Sequence, residues 1–519
     1  MTQSFTFTSL RTTAILLFFA LTACYLILTP GTTSGHGYIA EEIDSGNRML
    51  DITTARLMGQ PVPEMVWSRH GPVPLLFDLP FLVIGKYVVS QDFMLSLEPV
   101  LLTAALMVLA FVWLRKISTP WMSLILVMTG AFATMLWPYA YIGLETKQSL
   151  LTLLVGYLAL ANGKIRRWPR LMLFGIIGGL SLTVKNVGIV MWPAVAYLVY
   201  VQFRDDWRVR RLQLLIVSLL IGGIWELGDA LRSPYWEARG GVLFNIHEWW
   251  SDSPILVFTN FIGVFGSPMK GLAVFAPVLL LCIYAIPRAF RSNSRNLAVF
   301  ALLVAACTAG FISLLSVPSD EIWGPRYMHV AIAPLLICIG AAWPQLEWKI
   351  GVPLAGLAAA GFVISSLGAF SSYGVPSLAM RETAQNTMEW INGDPVWGGP
   401  IFEFRLLRTW LKPGLDPVPW TPSHHWVWEP PVNFPSDWRT IDLREYSTPQ
   451  SVLLQYWGEK NKGKLLPIFR VSVYSAIAAP LLFLLVALRT RKDAVGISAI
   501  APPGQEGWPR HQKIVAKHR

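Results

Sequence analysis

Long apolar runs recur along the whole chain and leave little choice of fold. Stretches long enough, or nearly long enough, to cross a hydrocarbon layer roughly 30 Å thick lie near 10–29, 97–114, 119–137, 147–162, 169–183 and 186–203. Others lie near 211–228, 271–288, 296–317, 326–343, 349–371 and 467–489. In lipid every backbone polar group must be satisfied internally, so runs of this length predict helices. The expected fold is an all-α polytopic membrane protein with about twelve transmembrane helices. Charged residues are 14% of the 519 and hydrophobic ones 54%, too little charge to keep a soluble protein of this length dispersed.

The net charge of +11 does not point to nucleic acid, because the basic residues sit in short clusters at the ends of apolar runs, where they act as topology signals. Pro72 to Val89 is the one ambiguous run. It carries Asp78, Lys86 and three prolines, and counting it as a span would put Arg115 and Lys116 outside. It is read instead as a helix lying on the outer membrane surface, over 72–90. Arg115/Lys116, Lys164–Arg170, Arg204–Arg211, Arg288–Arg295 and Arg489–Lys492 then share the cytoplasmic side with both termini. The protein is thus expected to be a multi-pass protein of a bacterial plasma membrane, with its working face toward the periplasm or exterior. Its parts are a transmembrane module over 1–371, a Trp- and Pro-rich outer cap over 372–466, a last span over 467–489 and a basic tail over 490–519. The four cysteines all fall in apolar runs and none forms a Cys-x-x-Cys pair, so no zinc site or disulfide framework is implied.

The outer face gathers the ionisable residues. The first outer loop, 30–72, holds Glu41, Glu42, Asp44 and Asp51 with Arg48, Arg56, Arg69 and His70 close by. So many charges beside a membrane surface point to a reaction site. Clustered carboxylates of this kind can bind a divalent metal, though no spacing here demands one. Trp323-Gly324-Pro325-Arg326-Tyr327 opens a span and leaves the Arg fork where a phosphate head group would sit. A snorkelling arginine in an interfacial aromatic belt would read the same way. Lys270, in Ser267-Pro268-Met269-Lys270-Gly271, is either a second positive contact or a flanking anchor. Glu145 is costly at its depth unless paired or functional, and Lys147 is near enough to neutralise it. Lys185-Asn186 reads as the polar tip of a helical hairpin. Asp78 and Lys86 read as the polar face of their helix.

The order of these elements, a carboxylate-bearing first outer loop, SRHGPVPLLFDLPF, an outward Glu, SPMKGL and WGPRYM, resembles that of the GT-C membrane glycosyltransferases. The similarity is to the branch of protein O-mannosyltransferases and lipid A aminoarabinose transferases, over roughly residues 10 to 345. It implies that the first hydrophobic segment stays as a span; no good small-x-small cleavage site follows it. It also implies a polyprenyl-phosphate-linked sugar as donor and a lipid, polysaccharide or protein as acceptor, with membrane lipids around and no nucleic acid. A first-loop carboxylate would be the catalytic base. Asp44 is preferred over Asp51 or Glu42, because it sits at what reads as a loop-to-helix boundary before Arg48. Glu145 would be the second catalytic carboxylate. Arg326, Lys270 and Tyr327 would hold the donor phosphate, and Arg48, Glu42, Asp51, Arg69 and His70 would support the loop. The default reaction is an inverting single displacement. The competing reading is a transporter or flippase of a lipid-linked or small anionic substrate, which midspan charges and internal repeats would favour. A third is a membrane assembly factor whose cap binds a partner.

Overall fold

The computed structural model describes residues 10–28, 37–61, 70–88, 91–140, 143–161, 166–237, 253–267, 271–315 and 325–370. The cap, last span and tail expected beyond residue 371 lie outside them. The described residues form helices α1 (Leu10–Leu28), α2 (Gly37–Leu57), α3 (Pro72–Tyr87), α4 (Gln91–Leu114), α5 (Pro120–Phe132), α6 (Gly143–Leu160) and α7 (Arg167–Thr183). They continue with α8 (Trp192–Phe203), α9 (Arg211–Glu237), α10 (Pro254–Gly266), α11 (Cys282–Phe290), α12 (Arg295–Leu314), α13 (His329–Ala342) and α14 (Trp348–Phe370). Helices α1, α4, α9, α12 and α14 are long and apolar enough to cross a membrane. Over their most apolar 18 residues only 22% of α1 and 17% of α9 is buried inside the protein, and α9 exposes Leu212, Leu215, Leu219 and Leu227. Apolar surface left so bare needs hydrocarbon to cover it.

Several expected spans are broken. The run 119–137 becomes α5, capped by Thr119 with Pro120 in its first turn, and it stops at Phe132. There Thr134 Oγ1 donates to the Gly130 carbonyl at 2.6 Å and accepts from the Leu136 amide at 3.2 Å, which turns the chain. Tyr25 donates to the Ala131 carbonyl and the Trp137 indole to that of Leu28, which fastens α1 to this turn. The run 271–288 is divided by Pro277 into a short helical turn at Leu272–Phe275, a 3-10 turn at Pro277–Leu281 and α11. The run 186–203 likewise starts as a 3-10 turn, Asn186–Met191, before α8.

Helices α4, α6 and α13 pack on one another at the centre, with α3 against α4 and α9, and α7 between α6 and α9. The α7–α9 contact is close because Gly179 has no side chain; a Cβ there would lie 2.7 Å from that of Ile224. Helix polarity then sorts the ends of the bundle. Thr119 donates its amide to the Pro344 carbonyl, Lys116 reaches the Ala161 carbonyl, and Arg288 stacks over Trp343. Several of the basic clusters meet at that end. The first turn of α6, one helix length away, begins the other end.

Candidate functional site

At that opposite end α6 opens with Gly143-Leu144-Glu145-Thr146-Lys147-Gln148-Ser149, and the polar side chains of this turn are all buried. A carboxylate in the first turn is favoured by the unsatisfied amides there. Glu145 Oε1 receives two cations: Lys185 Nζ at 2.8 Å, from just beyond the end of α7, and Arg326 Nε at 2.6 Å. Arg326 stands on the 3-10 turn Arg326–Met328 that leads into α13. Tyr327, on the same turn, lays its ring under Lys185 Nζ at 4.2 Å and lies 5.3 Å from the Arg326 guanidinium.

A second group adjoins the first. Lys147 Nζ lies 2.6 Å from Asp78 Oδ1 on α3 and 3.5 Å from Glu98 Oε1 on α4. Gly143 makes room for it, since a Cβ there would stand 2.6 Å from Glu98 Oε2. Ser149 Oγ donates to the Glu145 carbonyl at 2.8 Å and lies 2.7 Å from His329 Nδ1, at the start of α13. The ring of His329 is met edge-on by that of Tyr139, 5.7 Å away.

Asp78, Glu98 and Glu145 thus meet Lys147, Lys185 and Arg326, brought together from α3, α4, α6, the end of α7 and the approach to α13. Five of the six side chains are at most 5% exposed; Arg326, at 12%, is the most accessible. Desolvating six charges contributes little net stability, and apolar residues of equal volume would hold the helices as well. A cluster of this kind in a membrane bundle is a candidate functional site. Both cations of the first group bind one oxygen of Glu145. Its Oε2 is buried and has no hydrogen-bond partner among the described residues. No group of three or more metal-ligating side chains occurs among the described residues.

No family model matches the chain, and no curated protein matches it in sequence. Solved structures do resemble it. The undecaprenyl phosphate-bound ArnT of Cupriavidus metallidurans aligns over 94% of this chain and 77% of its own, at 15% identity and a TM-score of 0.47. The apo state of the same protein covers 92% and 75%, at 16% identity and a TM-score of 0.47. An Archaeoglobus fulgidus oligosaccharyltransferase carrying a tethered acceptor peptide covers 79% and 58%, at 11% identity and a TM-score of 0.39.

The structure brings Glu145, Arg326 and Tyr327 together. Lys270 and Arg69 lie outside the described residues, as does the side chain of Glu42. Much of the first outer loop is in fact the helix α2, so Asp44 stands seven residues inside a helix and not at its boundary. The pattern of 37–57 is polar enough to read as loop, but its Ala, Glu, Arg, Met and Leu are all good helix formers. Asp44 and Arg48 are exposed, and Asp44 makes no ion pair with a described residue. Asp51 is exposed too and meets Lys86 of α3 at 3.3 Å. His70 is buried just before Gly71, whose φ of 78° starts α3 against the stem of Arg232.

Three expectations are corrected here. Lys147 does not neutralise Glu145 but serves Asp78 and Glu98. Lys185 is no solvated hairpin tip; its side chain is 3% exposed. Asp78 is buried and so is not part of a solvated polar face, whereas Lys86 is. Glu98, Ser149 and His329 were missed altogether. The available signal was a charged or imidazole side chain at the edge of an otherwise apolar run.

Proposed function

We propose that this protein is an integral membrane glycosyltransferase that moves a sugar from a polyprenyl-phosphate-linked donor to an acceptor on the extracytoplasmic face. The observation that carries this reading is the convergence of Arg326 and Lys185 on one carboxylate oxygen, beside Tyr327, at the end of the bundle opposite the basic helix ends. The positive-inside tendency makes that end extracytoplasmic. The order of motifs along the chain supports the same reading.

The chemistry follows from the leaving group. Displacing a polyprenyl phosphate from an anomeric carbon develops negative charge on the phosphate oxygen, and preorganised cations stabilise it most where water is excluded. Arg326 offers a planar fork and Lys185 a point charge. Glu145 holds both in place before the phosphate arrives and shares them with it afterwards. Lys147 with Asp78 and Glu98 ties α3 and α4 to the first turn of α6. The acceptor needs a base, and a carboxylate engaged by two cations is a poor one. Asp44, exposed and outside any ion pair with a described residue, takes that role, with the acceptor attacking the face of the sugar opposite the phosphate.

Native mass spectrometry of the protein in mild detergent tests the reading. The wild type is expected to retain a polyprenyl phosphate or its glycosylated form, and Arg326→Ala to lose it, with binding weakened roughly 10- to 100-fold for one charge-assisted contact. Absence of any polyprenyl species from both, even after lipid is added, would overturn the reading in favour of transport of a different substrate.

A further inference from the structure

The hydrogen bonds around Ser149 settle where the proton of a buried histidine sits. Ser149 Oγ lies 2.8 Å from the Glu145 carbonyl oxygen, which can only accept, so the single hydroxyl proton points there. The 2.7 Å contact between Ser149 Oγ and His329 Nδ1 must then use a proton on Nδ1. His329 is 1% exposed, and a charged imidazole there would bear the cost of a buried charge. His329 is therefore the neutral Nδ1–H tautomer, and its Nε2 is a bare acceptor.

Among the described residues that nitrogen has no hydrogen-bond partner, although His329 is 1% exposed. Glu145 Oε2 is in the same condition. A buried acceptor without a donor costs about 1–3 kcal/mol. Two of them stand on the opening turns of α6 and α13, joined through Ser149, next to the cations that the phosphate would engage. They match a ligand with hydroxyl or amino protons close to an anion.

We propose that His329 Nε2 and Glu145 Oε2 accept hydrogen bonds from the sugar of a glycosyl phosphate, so that the site recognises the sugar as well as the phosphate. The inference rests on the donor reading above. It makes His329 a specificity residue of that site, coupled through Ser149 to the turn that carries Glu145.

The test is the nitrogen-15 spectrum of histidine-labelled full-length protein in detergent, with His329 assigned by its loss in His329→Gln. The unliganded protein should show Nδ1 protonated and Nε2 bare, and Ser149→Ala should relax that preference. Undecaprenyl phosphate alone should leave the Nε2 resonance in place. Among undecaprenyl phosphates carrying a hexose, a pentose or an aminopentose, at least one should move it. His329→Phe should bind that glycosylated lipid about tenfold more weakly and bare undecaprenyl phosphate as the wild type does, with His329→Gln recovering part of the loss. A protonated Nε2 in the unliganded protein would overturn the proposal. So would a resonance that no glycosylated lipid moves while the bare lipid binds, as a site filled only by a buried water would give. Failure of the bare lipid itself to bind would remove the donor reading and this inference with it.

Discussion

Two carboxylate-bearing regions of this chain have opposite fates. On α2, Asp44 and Asp51 stand exposed, Asp51 beside the loosely held Lys86. At the end of α6, Glu145 is buried with Asp78 and Glu98, and their cations come from other elements far along the chain. An exposed carboxylate is free to take a proton from an incoming hydroxyl. A buried, doubly paired one is suited to holding cations still. The proposed division of labour between base and phosphate site rests on that contrast in solvation.

The contrast can be broken experimentally, and the largest effect is expected on catalysis. Asp44→Asn should abolish sugar transfer while leaving donor binding and thermal stability unchanged, stability staying within about 0.5 kcal/mol. A variant with normal turnover would remove Asp44 from the role and send the search for the base to Asp51 or Glu42. Next in size is Lys147→Met, which strands two buried carboxylates. It should cost about 3–5 kcal/mol in denaturant unfolding in detergent. Adding Asp78→Asn and Glu98→Gln should recover most of that loss; no recovery would mean that packing, not charge, holds this corner.

A smaller effect should come from Gly143→Ala. Its Cβ would press on Glu98 Oε2 and approach Lys147 Nζ to 3.3 Å, costing about 1–3 kcal/mol. A neutral result would show that α6 can shift by a few tenths of an ångström without breaking the pairing. The smallest belongs to α2: Lys86→Met removes an exposed ion pair and should change the unfolding midpoint by less than the equivalent of about 1 kcal/mol. A loss as large as that of Lys147→Met would erase the distinction between the two regions.

Much of the bundle was legible in the sequence because hydrocarbon is an unforgiving solvent: the run 211–228 had to be a span, and α9 contains it. Helix ends were less legible. Nothing local announces that the run 119–137 stops at Phe132, because the stop depends on the Thr134 turn and on α1 fastened against it. The site was half legible. Arg326 and Glu145 stood out as charges at span edges, and the structure does bring them together. Lys185 looked like a hairpin tip, and only the burial of the α7 end shows otherwise.

By itself the sequence determined that this chain is helical and lipid-embedded, that its basic residues mark one set of helix ends, and which few charges stand near the other. Those properties follow from composition and period, which need no knowledge of neighbours. Tertiary structure alone decided the pairing: that Glu145 takes Lys185 and Arg326, that Lys147 goes instead to Asp78 and Glu98, and that Ser149 meets His329. Pairing among buried charges depends on distances of a few ångströms between residues up to 181 positions apart, Glu145 to Arg326 (326 − 145). No local pattern carries that information.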